Sequence, residues 1–96
     1  MTAYDVTHEE HDHRGAFFIE VDGERVAEMS YSRANATLVI IDHTSVASHL
    51  GGRGIGRQLL DAAVTWARET GTRILTTCPF ATAQFTKDPS IRDVLR

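Results

Sequence analysis

Four glycines stand within the six residues Gly51-Gly52-Arg53-Gly54-Ile55-Gly56, directly ahead of an amphipathic helix pattern. Each glycine costs backbone entropy on folding, so such crowding needs a reason. Glycine offers close backbone approach and positive φ. A helix N-terminus adds unpaired N–H groups and a partial positive charge. Together these make an anion site, commonly filled by a phosphate or pyrophosphate. Leu50 to Leu60 therefore reads as a strand-to-helix turn that grips phosphate. On local features alone, a tight turn without a ligand stays open as the other reading. The spacing Gly51-x-x-Gly54-x-Gly56 is not a Walker loop, which needs lysine and a hydroxyl residue after its last glycine. It is not the dinucleotide fingerprint G-x-G-x-x-G either.

The chain ahead of this turn reads as strands. Met1 to Arg14 has no clear period. His8, His11 and His13 sit among Glu9, Glu10 and Asp12, which invites a metal reading. The zinc-protease pattern needs two histidines four apart on a helix, and Asp12 stands where the second would be. The segment is expected to be a solvated lead-in strand, and no metal site is expected. Gly15 to Arg33 reads as a β-hairpin: Ala16 to Val21, with Phe17, Ile19 and Val21 on one face, returns through Glu24 to Ser32. Asp22-Gly23 is its type I′ turn signal. Arg33 to Ala36 is a short connection. Thr37 to Val46 is a third strand, apolar on both faces at Leu38-Val39-Ile40-Ile41 and polar at Asp42-His43-Thr44-Ser45. A buried strand that turns polar at its C-terminal end favours a ligand crevice there.

Behind the glycine turn, Ile55, Leu59, Ala62, Ala63 and Trp66 form one apolar helical stripe, and Gly71 is placed to cap the helix. Arg73 to Cys78 is a short strand. Strand, helix, strand in this order implies a right-handed crossover and a parallel pair. Pro79 ends that strand, because it has no N–H for a ladder. A second short helix is expected from Phe80 or Ala81 to about Lys87. Asp88-Pro89 breaks it, and Ser90 to Arg96 forms a last turn. The predicted fold class is α/β with a mixed sheet: an antiparallel hairpin and central strand, then a parallel β-α-β crossover with a short C-terminal helix.

Composition narrows the class. The 96 residues suggest one domain, 1–96, with one modest core. A net charge of −3 argues against a general nucleic-acid binder. No apolar run is long enough to cross a bilayer, and no signal peptide is evident, so no membrane partner is expected. The single cysteine excludes an internal disulfide and suits a reducing compartment. The expected location is cytoplasmic, as a monomer or weak homodimer.

These residues resemble the GNAT N-acetyltransferases. The superfamily's acetyl-CoA signature is Gln or Arg, two residues, Gly, one residue, Gly or Ala. Gly54-Ile55-Gly56 matches its second half, while Gly51 occupies the Gln/Arg position. The resemblance is closer to the minimal GNAT-like domains of about a hundred residues with a cysteine-proline motif. It is carried by Val21-Asp22-Gly23-Glu24, His43-Thr44-Ser45-Val46, Leu50 to Gly56, Cys78-Pro79-Phe80 and Asp88-Pro89. It implies a sheet splayed between its two parallel strands, with the pantetheine arm of coenzyme A in the gap. It implies pantetheine pairing by His43 to Val46, so Thr44, Ser45 and Val46 are cofactor-binding candidates. It also implies a pyrophosphate site at Gly51, Gly52, Arg53, Gly54, Ile55 and Gly56, with Arg53 or Arg57 adding charge.

The catalytic candidates implied are His43 and Cys78. Acetyl transfer needs a nucleophile, a route for its proton and donors for the oxyanion. The acceptor amine attacks the thioester directly in many such enzymes. Alternatively Cys78 takes the acetyl group first, assisted by His43, which requires an accessible thiolate. Both residues also have structural readings, Cys78 as a small buried hydrophobe and His43 as a hydrogen-bonded strand residue. Trp66 and Phe80 read as core or cleft wall. The function expected is an acetyl-CoA-dependent N-acetyltransferase with an unidentified amine acceptor. The competing readings are a CoA-binding module without turnover and a small structural domain.

Overall fold

A computed structural model of the chain describes residues 4–96. The sequence makes strands first. β1 (Thr7–His11), β2 (Arg14–Val21), β3 (Glu24–Asn35) and β4 (Leu38–Val46) run antiparallel in sequence order. β5 (Arg73–Thr76) then joins β4 in parallel, giving the order β1-β2-β3-β4-β5. The crossover is α1 (Ile55–Thr70). α2 (Pro79–Lys87) and a 3-10 segment, Pro89–Val94, complete the chain. The mixed α/β fold expected from the hydrophobic pattern is the fold observed.

The Asp22-Gly23 turn has φ of 53° and 81°, both positive as a type I′ hairpin requires. α1 ends where Gly71, at φ 69°, caps Ala67 through its N–H. The core lies between one face of the sheet and the two helices. Met29, Tyr31, Val39 and Ile41 meet Leu59, Leu60 and Val64 of α1, with Ala81 and Phe85 from α2.

Several boundaries differ from the sequence reading. The lead-in is a strand as expected, but half-buried at its middle and not simply solvated: Thr7–His11 is an edge strand paired from Thr7↔Phe18 to His11↔Arg14. Its His8 is half-buried and stacks on Phe17 with ring centroids 4.1 Å apart. Of the three histidines only His11 and His13 are exposed. β3 runs to Asn35, so the connection is Ala36-Thr37, held by Asn35 Oδ1 accepting the Thr37 N–H at 2.9 Å. Val21, at the hairpin end, is exposed although Phe17 and Ile19 are buried, and Val26 of β3 is the extra residue of a bulge opposite Ile19 and Glu20. The buried stripe of α1 is wider than five positions. It includes Leu60, Val64 and Ala67, while Ala62 and Trp66 lie at its half-buried margin. β5 stops at Thr76, leaving Thr77 and Cys78 outside it. Beyond the last 3-10 segment, Leu95 makes a parallel bridge to Ile74.

Tyr31 is fully buried although its ring crosses the sheet. It reaches over Gly15 of β2 to donate its hydroxyl to Glu10 of β1 at 2.9 Å. A Cβ at Gly15 would stand 2.3 Å from the ring. Gly15→Ala is therefore expected to destabilise the fold by about 2 kcal/mol or more, by overpacking. In a Tyr31→Ala background the same change should cost clearly less. Urea unfolding of the four proteins measures the coupling, and strictly additive losses would refute the contact.

Candidate functional site

The site begins where the parallel ladder stops. β4 and β5 pair over four positions, from Leu38↔Arg73 to Ile41↔Thr76. The last rung is the Thr77 N–H donating to the Ile41 carbonyl at 2.9 Å. The next donor, the Cys78 N–H, turns instead to Thr76 Oγ1 at 3.0 Å. Pro79 follows and has none. On the other strand, Asp42 falls in a register shift between Ser30↔His43 and Tyr31↔Ile41. Such an extra residue bends the bulged strand. Asp42 to Val46 thus keeps β3 on one side and has no strand on the other.

The gap opens onto the glycine turn. Ser48–Leu50 forms one 3-10 turn, and Gly54 is the N-cap of α1 at φ 72°. This left-handed conformation favours glycine, and no side chain caps the helix. The first bond of α1 is the Gln58 N–H to the Gly54 carbonyl at 3.1 Å, so the N–H groups ahead of it lack helical partners. At Gly56 the reason for glycine is space, since an added Cβ would meet the Phe80 ring at 2.9 Å. Strand end, turn and α2 enclose a cleft of about 460 Å³, with Thr44 and Val46 on one wall and Phe80, Gln84 and Lys87 on the other.

The strand's alternation decides which candidates share this cleft. Thr44 lies opposite the buried Met29 on the helix face, and Thr44 Oγ1 is 3.2 Å from Cys78 Sγ. His43 lies opposite Ser30, exposed on the far face. The structure brings Cys78 to Thr44 and not to His43. Cys78 is buried in the core cluster. Ser45 is exposed beside His43 on the far face, and Val46 faces the cleft. Also on the far face, Asp42 accepts from Ser30 Oγ at 2.7 Å, Arg14 at 2.9 Å and Ser32 Oγ at 3.1 Å. Burial would push its carboxyl up, but these three donors together hold it below the ordinary value.

The two arginines divide. Arg57 lines the cleft, yet its guanidinium is committed to Asp61 Oδ1 at 2.8 Å, Gln84 Oε1 at 3.0 Å and Asp88. It is a strut between α1 and the end of α2. Arg53 is exposed in the turn and has no ion pair among the described residues. Lys87 is a cleft residue that the sequence reading missed. Its signal was present: Phe80, Gln84 and Lys87 fall at i, i+4 and i+7, one face of a short helix. Among the described residues no group of His, Cys, Asp and Glu is arranged to hold a metal ion.

A family model described as GCN5-related N-acetyl-transferase matches residues 16–94. The solution structure of a GCN5-like protein from Staphylococcus aureus superposes with a TM-score of 0.73 at 32% identity, covering 100% of this chain and 91% of that one. Tetrahymena GCN5 gives a TM-score of 0.65 at 16% identity, covering 78% of this chain and 49% of that one. An aminoglycoside N-acetyltransferase in complex with CoA gives 0.56 at 21%, covering 85% and 60%. Those two show likeness of fold. None of the curated proteins matches the chain.

Asp88 gives the site a pH signature. The Ser90 hydroxyl first, and then Arg57, lower its carboxyl from 3.8 to about 2. A depressed folded pKa stabilises fully above the ordinary carboxylate value and is lost as pH falls through the folded one. The urea midpoint should therefore fall between about pH 4 and pH 2, and Asp88→Asn should flatten that fall. Identical acid profiles for the two proteins would contradict the assignment.

Proposed function

This chain belongs to the GCN5-related N-acetyltransferase family, and we propose that it moves the acetyl group of acetyl-CoA onto an acceptor amine at the β4–β5 gap. The observation that carries this reading is the early end of the parallel ladder, which leaves a strand edge free beside an uncapped helix N-terminus. In this reading backbone groups of Thr44 to Val46 pair with the pantetheine amides. N–H groups from Arg53 to Gly56 take the pyrophosphate. Arg53 and Lys87 supply the positive charge, because Arg57 is already held by Asp61, Gln84 and Asp88. Acetyl-CoA supplies an acyl group activated as a thioester.

The placement of Cys78 favours direct attack by the amine over a route through an acetylated cysteine. Its sulfur is buried against Thr44, and His43 stands on the other face of β4. Thr44 then lines the cleft, and Cys78, buried behind it, supports its shape. His43 is exposed where an acceptor arriving through the gap from the far face would release its proton.

Thiol release from acetyl-CoA with a panel of primary amines, polyamines, aminoglycosides and peptide N-termini tests the activity. At least one amine should stimulate release, and Cys78→Ala should keep kcat/KM within about threefold. Intact-mass analysis after acetyl-CoA treatment should find no acetyl adduct on Cys78. An adduct there, with activity lost in Cys78→Ala, would replace direct attack by the covalent route. Bound CoA without release for any amine would leave a CoA-binding module.

A further inference from the structure

The N-terminal edge strand helps to build a second concave surface. β1 and β2 meet the outer side of α1 in an open groove of about 390 Å³. Its floor is Val6, His8, Phe17 and Trp66, and its rim carries Asp61 and Glu69 of α1. It lies apart from the acetyl-CoA cleft, which uses Ile55, Gly56 and Arg57 at the start of the same helix.

The aromatic rings are locked together. The His8 ring stacks on Phe17 at 4.1 Å, and Trp66 meets His8 edge-on at 4.8 Å. Trp66 also stacks on Tyr31 at 5.8 Å. One ring already attracts a cation within the chain, for the Arg33 guanidinium lies 5.7 Å from the Trp66 centroid. The charges around the groove favour a further positive ligand. Arg33 is neutralised by Glu10, with which it pairs through two nitrogens. Burial lowers the His8 pKa, so near neutrality it is a wall and not a competing cation. Asp61 shares one oxygen with Arg57. Glu69 is exposed and has no ion pair among the described residues.

We propose that this groove binds a small organic cation of the alkylammonium class, its methylated or methylene surface against Trp66 and His8 and its charge toward Glu69 and Asp61. Weakly hydrated ammonium groups suit such a site, since aromatic surface and carboxylates attract them and their methyl or methylene groups cover the apolar floor. The site is independent of acetyl-CoA, and its loss would leave that reading untouched.

Trp66 is the only tryptophan of the chain, so its fluorescence reports the groove directly. Choline serves as the probe, and its neutral carbon isostere, 3,3-dimethylbutan-1-ol, as the control. Without CoA, choline should change Trp66 emission saturably, with a midpoint on the order of 1–10 mM for so small a ligand. The amide signals of His8, Phe17 and Trp66 should shift along the same curve. The alcohol should bind at least about threefold more weakly, and Glu69→Gln should weaken choline about three- to tenfold. Glu69 is exposed, so that variant should keep its fold, which the unchanged remainder of the amide spectrum checks. Equal response to choline and the alcohol, a response that never saturates, or an unchanged midpoint in Glu69→Gln would each overturn the proposal.

Discussion

The rest of the structure depends on a ladder that stops. β4 and β5 share four paired positions and one further bond from Thr77, and then part. The parting has local causes on both strands. On β5 the Cys78 N–H is drawn to the Thr76 hydroxyl, and Pro79 has no donor. On β4 the extra residue Asp42 shifts the register against β3. Unpaired backbone is costly when it is shielded from water, so a strand edge left open in this way is expected to face solvent or a ligand. Here it faces a cleft that ends on the uncapped N-terminus of α1.

The helices hold the gap open from the side. Arg57 joins α1 to the last turn of α2 and to Asp88, while Gly56 lets the Phe80 ring lie directly on α1. Cleft width is set by that packing, which resists gradual change as close-packed interiors do. Of the two arginines expected to offer charge here, Arg57 is held by Asp61, Gln84 and Asp88, while Arg53 is exposed in the turn.

Much of this was legible in the chain. The Asp22-Gly23 hairpin, the buried Leu38 to Ile41 strand, the glycine turn and the Pro79 stop follow from φ preferences, alternation and missing donors, all local properties. What escaped depends on contacts distant in sequence. The edge strand Thr7–His11 reads as polar because its burial comes from Phe17 and Trp66, far along the chain. Likewise Gly15 has no turn to explain it, and only the Tyr31 ring crossing above it shows why a side chain is excluded. His43 and Cys78 both lie at strand ends, as the motif implies. Alternation along β4, reset by the bulge at Asp42, turns His43 to the far face, while Cys78, past the end of β5, packs against Thr44.

The central claim is that the β4–β5 gap and the α1 N-terminus together form a CoA site. Titration calorimetry with CoA tests it most directly, using wild type and a variant that replaces Gly54 by valine. Valine at φ 72° strains the turn that presents the N–H groups. The account predicts saturable binding in the micromolar range for wild type, at least about tenfold weaker in Gly54→Val. No heat from wild type at high micromolar CoA, or equal affinity in the two proteins, would contradict it.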